Sequence, residues 1–130
     1  MKSISYIVTF FFRLNSKNFK VGGADEILNG VEVLDTLAGK GAAATPGQYV
    51  SVRYAGNLVS GKRFDAGTIG FKLGAGKVIK GWDTGVAGMR VGGKRKLVVP
   101  ARAAYGKRGS MPTIPPNATL RFEVELLRIK

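Results

Sequence analysis

The pattern of hydrophobic and polar positions predicts one short helix in this chain, around its single tryptophan. Four apolar residues recur there at three- or four-residue intervals, which puts them on one helical face: Ile79, Trp82, Val86 and Met89. Gly85 and Gly88 oppose a helix, because each glycine costs a helix interior up to about 1 kcal/mol relative to alanine. We therefore expect a helix that depends on packing against a sheet, with Trp82 at the contact and sheet or loop backbone close to Gly81 and Gly85.

Runs of β-branched, aromatic and alternating residues predict strands on both sides of this helix. The runs are 31–36, 49–56, 71–73, the segment between Gly93 and Pro100, and 119–129. The last run alternates most cleanly, so we expect it in the middle of the sheet with one apolar face: Leu120, Phe122, Val124 and Leu126. Residues 66–70 are expected to form a short connection, and residues 101–117 a long loop that is either functional or disordered.

Together these elements predict an α+β fold, in which a twisted antiparallel sheet of five or six strands is wrapped around one short α-helix. The 130 residues fit a single domain with its own hydrophobic core. We expect that domain at 31–130 and an N-terminal extension at 1–30. Within the extension, 6–12 is expected to form either an additional strand or part of a disordered leader. It is too short to cross a bilayer, which takes roughly 20 residues, and the cations after it stand in the wrong order for signal-peptide cleavage.

The composition excludes several classes of chemistry. The chain has no cysteine and no histidine, which removes disulfides, thiol nucleophiles, thiolate metal sites and histidine general bases. Its 8 acidic residues include no Asp-x-Asp or Glu-x-x-Glu pair, so the sequence does not support a divalent-ion site or a two-carboxylate active site. We therefore expect a protein that works without a metal or another cofactor.

The chain is strongly basic, with 21 lysines and arginines against 8 acidic residues and a net charge of +13. A field of this sign attracts nucleic acid and other polyanions. The cations are dispersed, however, and short clusters such as Lys62-Arg63 and Lys107-Arg108 are typical of solvated loop and strand positions. Lys94-Arg95-Lys96 matches a nuclear-import fragment and, equally well, an alternating strand. Weak nucleic-acid binding through a basic surface therefore stays open.

Six short motifs follow one another between residues 54 and 120. They are Tyr54-Ala55-Gly56, Gly61-Lys62-Arg63-Phe64-Asp65, Val78-Ile79-Lys80-Gly81-Trp82, Gly92-Gly93-Lys94-Arg95, Ala104-Tyr105-Gly106 and Ile114-Pro115-Pro116-Asn117-Ala118-Thr119-Leu120. In this order they resemble the motifs of FKBP-type peptidyl-prolyl cis-trans isomerase domains, over about 31–130. The resemblance implies an antiparallel sheet wrapped on one short helix, in agreement with the hydrophobic pattern.

The resemblance also implies an apolar bowl that is floored by the helix tryptophan and receives proline. Six residues would carry catalysis: Tyr54, Phe64, Asp65, Trp82, Tyr105 and Phe122. Five more would bind the substrate or macrolides such as rapamycin and tacrolimus: Val78, Ile79, Ile114, Ile69 and Ala104. By the same resemblance, Ile79 offers its backbone N–H and Tyr105 its hydroxyl to the ligand, while the Asp65 carboxylate accepts a hydrogen bond.

Prolyl isomerisation would account for the missing histidine, cysteine and metal. It breaks no covalent bond, since its barrier of about 20 kcal/mol is the loss of amide resonance as the C–N bond twists. An apolar pocket removes solvation from the charge-separated planar amide, and fixed donors can favour the twisted geometry. We therefore expect isomerisation of Xaa-Pro bonds in peptides and proteins. The alternative is a low-activity binding module of the same fold for prolyl peptides, a protein partner or nucleic acid.

The chain departs from the family pattern at the rim of the bowl. The segment between Asp65 and Phe71 is several residues shorter than usual, and Ile69 stands where an aromatic lip residue is common. Met111-Pro112-Thr113 replaces a frequent Pro-Gly-Ile. The sequence therefore predicts catalysis more firmly than it predicts macrolide affinity. Residues 85–96 are most similar to nuclear and nucleolar eukaryotic members of the family. We expect a monomer in the nucleus or cytoplasm, without a membrane partner.

Overall fold

The computed structural model describes residues 29–130. Within this range the elements follow in the order β1 (Glu32–Leu37), β2 (Tyr49–Leu58), β3 (Arg63–Lys72), α1 (Lys80–Gly85), β4 (Lys94–Val99), a single 3₁₀ turn (Ala101–Ala103) and β5 (Leu120–Ile129). The additional strand considered over 6–12 lies outside the described residues. The domain boundary expected near residue 30 stays a prediction.

The strands form one five-stranded sheet in the order β1-β4-β5-β2-β3, and all neighbours are antiparallel. The predicted α+β architecture is therefore confirmed, with β5 in the centre as its clean alternation indicated. The apolar face of β5 is buried in full: Leu120, Phe122, Val124 and Leu126. This inner face of the sheet packs on α1, and the opposite, outer face carries charged residues such as Arg121 and Glu123.

Helix α1 is shorter than the apolar spacing indicated, because it ends at Gly85. Gly88 lies beyond the helix with a φ of +87°, a left-handed conformation that glycine adopts without strain. The expected close approach at Gly81 and Gly85 does occur, but to side chains rather than to backbone. A Cβ at Gly85 would lie 2.9 Å from both terminal methyl carbons of Leu97, and a Cβ at Gly81 would overlap Val99.

Residues 66–70 are not the short connection that their small side chains suggested. They belong to β3, which runs unbroken from Arg63 to Lys72 and pairs with β2. Two tyrosine rings of β2 cover glycines of this edge strand, one from each face of the sheet. Tyr54 lies over Gly67 and Tyr49 lies over Gly70. The tyrosine rings thus provide the packing contacts that glycines, without side chains, cannot make. The separate strand expected at 71–73 is the end of β3.

The long segment between β4 and β5 is ordered by backbone hydrogen bonds. Gly109 N–H donates to Tyr105 O at 3.0 Å, and Ser110 and Ile114 form an isolated antiparallel bridge. Asn117 N–H donates to Gly106 O at 2.9 Å and closes the segment at its base. Across the part of the chain that the structure describes, no helix is long and apolar enough to cross a membrane.

Candidate functional site

Five aromatic side chains meet where the inner face of the sheet faces α1, and we call this group the aromatic bowl: Tyr54, Phe64, Phe71, Trp82 and Phe122. Trp82 is 6% exposed, and the rings of Tyr54 and Phe122 approach it edge-on with centroids at 4.9 and 5.3 Å. Phe71 adds a tilted contact at 5.8 Å. Edge-to-face packing of this kind fixes ring orientation as well as burying area. The indole is thus the centre of a rigid apolar surface.

A bulge in β3 brings two consecutive residues to the same face of the sheet. Gly56 pairs with Asp65 and Asn57 with Arg63, so Phe64 is the extra residue. Phe64 contacts Phe122 edge-on at 5.7 Å, while Asp65 reaches Tyr54 on the same side. Without the bulge, strand alternation would turn one of these two side chains to the outer face.

Gly56 lies beneath both phenylalanine rings. A Cβ there would come within 2.6 Å of Phe64 Cζ and 2.8 Å of Phe122 Cε1, distances that side-chain atoms do not tolerate. The edge-on contact of Phe64 and Phe122 therefore depends on a residue without a side chain at this position.

Tyr54 and Asp65 form the polar margin of the bowl. The Tyr54 hydroxyl donates to Asp65 Oδ2 at 2.8 Å, and the other carboxylate oxygen accepts the Ala66 N–H at 2.9 Å. Burial, followed by the hydrogen bond to Asp65 and the negative charge of Asp65 and of Tyr105 when ionised, raises the pKa of Tyr54 to about 12. The Tyr54 hydroxyl therefore stays a neutral donor to a higher pH than an ordinary tyrosine would.

Val78 and Ile79 pack against the core at the start of α1 and are half-buried. The segment before them is tied to the helix by Asp83, whose two carboxylate oxygens accept the Gly74 and Gly76 N–H groups at 2.8 and 3.0 Å. The Ile79 carbonyl accepts the Trp82 N–H at 2.9 Å, while the Ile79 N–H makes no hydrogen bond within residues 29–130. Ile79 therefore presents a donor next to the bowl.

The remaining predicted residues differ in burial. Ile114 is buried in the core and Ala104 is half-buried, whereas Tyr105 is 43% exposed and Ile69 is 39% exposed. Ile69 lies opposite Val52 on the inner face of β3, two residues from Phe71. The structure thus brings Tyr54, Phe64, Asp65, Trp82 and Phe122 into direct contact. Ile69 and Tyr105 stand as exposed side chains on the edge strand and on the long loop.

The bowl offers polar groups but no cluster of metal ligands. In residues 29–130 no group of three or more acidic side chains could hold a metal ion. The indole Nε1 of Trp82 is buried and has no hydrogen-bond acceptor in this part of the chain, so packing alone holds the ring. What the site provides is an apolar surface with hydroxyl, carboxylate and backbone N–H groups at its edge.

Residues 40–127 match the sequence profile of the FKBP-type peptidyl-prolyl cis-trans isomerases. The chain belongs to the FKBP-type peptidyl-prolyl cis-trans isomerase family. FK506-binding protein 4 of Rhizopus delemar is 54% identical to it over 106 residues, which are 78% of this chain and 28% of that protein. FK506-binding protein 4 of Neurospora crassa is 51% identical over 118 residues, or 88% of this chain and 25% of that protein. This FKBP-type chain spans about a quarter of the length of these curated relatives.

Two solved structures have the same fold. The crystal structure of AtFKBP13 is 36% identical and superposes with a TM-score of 0.73, covering 78% of this chain and 94% of that one. A peptidyl-prolyl cis-trans isomerase from Pseudomonas syringae pv. tomato is 35% identical with a TM-score of 0.72, covering 78% and 77%. The predicted family and fold are therefore confirmed.

Two members of the site were not recognised from the sequence of this FKBP-type domain. The sequence pattern predicts only a strand at Phe71, although its period-two spacing from Ile69 puts both side chains on one face. Gly56 belongs to the first of the six motifs, but nothing in the sequence shows that two phenylalanine rings lie above it. A one-residue bulge, which decides whether Phe64 and Asp65 face the same side, leaves no clear signal in a single sequence.

Proposed function

We propose that this chain catalyses cis-trans rotation about Xaa-Pro peptide bonds in proteins. The observation that carries the proposal is the rigid aromatic bowl around Trp82, bordered by the Tyr54–Asp65 hydrogen bond at 2.8 Å. Membership of the FKBP-type family supports this function over the binding-module alternative. A proline ring is apolar and fits against Trp82, Phe64 and Phe122, while its amide lies near the polar margin.

Catalysis follows from differential binding of the twisted amide. The planar Xaa-Pro amide carries more separated charge than the twisted one, so the apolar surface of the bowl stabilises it less than water does. Twisting restores lone-pair character to the proline nitrogen and weakens the C–N double bond. Donors held at fixed positions then favour the twisted state without reorganisation. Only groups that bind this state better than the planar state raise the rate.

We assign three hydrogen-bonding roles within this proposal. Ile79 N–H, which donates to no group within residues 29–130, binds a substrate carbonyl. The Tyr105 hydroxyl, on an exposed side chain, is a second donor to the substrate backbone. The Asp65 carboxylate holds the Tyr54 hydroxyl and accepts from the substrate. Val78, Ile114, Ile69 and Ala104 complete the walls.

We also infer that macrolides of the rapamycin and tacrolimus type bind in the bowl and compete with prolyl substrates. Two of the relatives are named as FK506-binding proteins, which supports this class of ligand. On the β3 side, Ile69 is the residue predicted to form the rim of the bowl. Its side chain is smaller than an aromatic one, so macrolides have less apolar surface to contact there. A monomer in the nucleus or cytoplasm stays a prediction, which sedimentation and fractionation of cells would test.

The proposal is tested by measuring kcat/KM for isomerisation of a short Xaa-Pro peptide. The wild-type protein should accelerate the exchange, and rapamycin should inhibit it. Trp82→Leu and Phe64→Ala should each lower kcat/KM at least about tenfold, which corresponds to about 1.4 kcal/mol of transition-state stabilisation. Leu37→Ala, which truncates an exposed apolar side chain of β1, is the matched control and should retain activity.

Circular dichroism establishes that each variant is folded before its rate is compared. If the folded wild-type protein binds rapamycin but does not accelerate exchange, the chain is a binding module and not an isomerase. If the folded Trp82→Leu and Phe64→Ala variants keep the wild-type rate, the bowl is not the site of catalysis.

A further inference from the structure

A polar depression of about 240 Å³ lies at one corner of the outer face of the sheet, on the side opposite to the bowl. We call it the outer corner. It is lined by Tyr49, Ser51, Gly70, Arg128 and Lys130. None of the residues in this lining is acidic, although the depression is large enough to admit a phosphate group and several waters.

The strand register surrounds this depression with cations. Ser51 of β2 lies opposite Arg128 of β5 and opposite Gly70 of β3. One row further along, Tyr49 pairs with Lys72, and the Lys130 N–H donates to Tyr49 O at 2.8 Å. Neighbouring strands are about 4.8 Å apart, so Lys72 and Lys130 flank Tyr49 at a backbone separation of about 10 Å.

Tyr49 lies between these cations and brings a hydroxyl over the floor. Its ring lies across Gly70, because a Cβ there would meet Tyr49 Cε1 at 2.8 Å and the Tyr49 hydroxyl at 2.9 Å. The Lys130 ammonium stands 5.7 Å from the ring centroid, within the range of a cation–π contact. Ser51 adds a second hydroxyl on the same face. Two kinds of donor, charged and neutral, therefore converge on one depression.

Two other cations of the outer face lie opposite acids. Lys94 lies opposite Glu125 and Lys96 opposite Glu123 in the β4–β5 register. Glu125 also accepts from Arg53 at 2.8 Å. At the outer corner, Arg128 and Lys130 line the depression and Lys72 lies next to it in the register. The lining has no carboxylate side chain, so this corner is locally more positive than the β4–β5 part of the outer face.

We propose that the outer corner binds the phosphate backbone of nucleic acid. Arginine, lysine and hydroxyl groups are the side chains that contact phosphate oxygens in such complexes. Three positive charges around one depression exceed the single negative charge of one backbone phosphate, which favours a chain of phosphates over a single one. The net charge of +13 attracts such a polyanion from solution. The site does not rest on the isomerase proposal, since it lies on the other face of the sheet.

The test measures binding of a fluorescent single-stranded oligonucleotide of about 12 nucleotides to the whole chain at a series of salt concentrations. Three cations that each neutralise a phosphate predict a slope of log affinity against log salt of about −2. Arg128→Gln with Lys130→Gln should reduce the slope to about −0.7 and lower the affinity at low salt at least about tenfold. Both replaced side chains are exposed, so the fold should be retained, as thermal unfolding will verify.

The matched control is Lys94→Gln with Lys96→Gln, which removes the same formal charge from the same face. It should keep the wild-type slope, and both double variants should keep wild-type isomerisation of an Xaa-Pro peptide. The proposal is overturned if the wild-type chain does not bind at low salt, or if the control loses as much affinity as the outer-corner variant. Tighter binding of a phosphoserine peptide than of the oligonucleotide would overturn the assignment to nucleic acid.

Discussion

The Tyr54 hydroxyl and the Asp65 carboxylate are joined by a 2.8 Å hydrogen bond across the β2–β3 pair. They are diagonal neighbours, because the register sets Tyr54 opposite Gly67 and Asp65 opposite Gly56. The Tyr54 ring lies over Gly67, where an added Cβ would make an ordinary contact at 3.7 Å from the hydroxyl. The register of β2 and β3, rather than the missing side chain of Gly67, therefore brings Tyr54 to the margin of the bowl.

We expect the Tyr54–Asp65 pair to contribute stability that is lost at alkaline pH. Burial and Asp65 raise the pKa of Tyr54 to about 12, whereas an unfolded tyrosine titrates near 10. Between these values the folded state holds a proton that the unfolded state has released. The contribution to the free energy of unfolding is therefore complete below about pH 10 and is lost as the pH rises toward about 12.

Urea unfolding of wild type and Tyr54→Phe at several alkaline pH values measures this contribution. The difference in unfolding free energy between the two proteins should shrink through the window, because only the wild type has the Tyr54 hydroxyl that titrates. Lysine deprotonation affects both proteins alike and cancels in the difference. A difference that stays constant from about pH 9 to about pH 12 would contradict the assigned pKa.

We predict that Gly56→Ala disables the bowl although it adds only one methyl group. The new Cβ would come within 2.6 Å of Phe64 and 2.8 Å of Phe122, so both rings must move. We expect a loss of about 1–3 kcal/mol in stability and at least about a tenfold loss in kcat/KM. Gly67→Ala is the matched control, since its Cβ would make only an ordinary 3.7 Å contact. Equal effects of the two substitutions on kcat/KM would exclude this role for Gly56.

The central strand and the helix face were predictable because their burial is periodic. Leu120, Phe122, Val124 and Leu126 alternate without interruption in β5, which has strands on both sides. Trp82 and Val86 likewise share the buried face of the α1 region. In both segments the local pattern agrees with the tertiary environment, so the sequence is sufficient to predict which residues are buried.

The β3 strand was not predictable because its pairing overrides its composition. Gly67 and Gly70 suggest a turn locally, yet tyrosine rings from β2 cover both. The resemblance pointed to the residues of the bowl, but it could not supply the register that brings Phe64 and Asp65 to one face. It also did not indicate the outer corner, because the register of β3, β2 and β5 brings its lining residues together.

We predict that Gly85→Ala destabilises the domain, although helix propensity alone would make it stabilising by up to about 1 kcal/mol. The added Cβ would meet Leu97 at 2.9 Å, and overpacking of a core costs about 1–3 kcal/mol. Chemical unfolding of Gly85→Ala, Leu97→Val and the double variant forms a double-mutant cycle. The smaller valine side chain should relieve the clash, so the double variant should be more stable than the sum of the single effects. Strict additivity would rule out the steric explanation.

We predict finally that Arg95 stabilises the fold through three connections at once. Its guanidinium donates to Asp35 of β1 at 2.5 Å and to the Gly85 and Ala87 carbonyls at 2.8 and 3.1 Å. It thereby joins β1 and β4 to the end of α1, and the side chain is only 12% exposed. A lysine ammonium cannot reproduce this planar set of donors.

Arg95→Lys should therefore lower the free energy of unfolding by about 1–3 kcal/mol, because two partly buried carbonyl oxygens lose their donors. Arg53→Lys provides the control, since Arg53 also donates to a carboxylate at 2.8 Å but its side chain is 61% exposed. That exposed pair should contribute less than about 1 kcal/mol. If urea unfolding gave the same loss of stability for both substitutions, the hydrogen bonds of Arg95 at the end of α1 would contribute no more to stability than a surface ion pair.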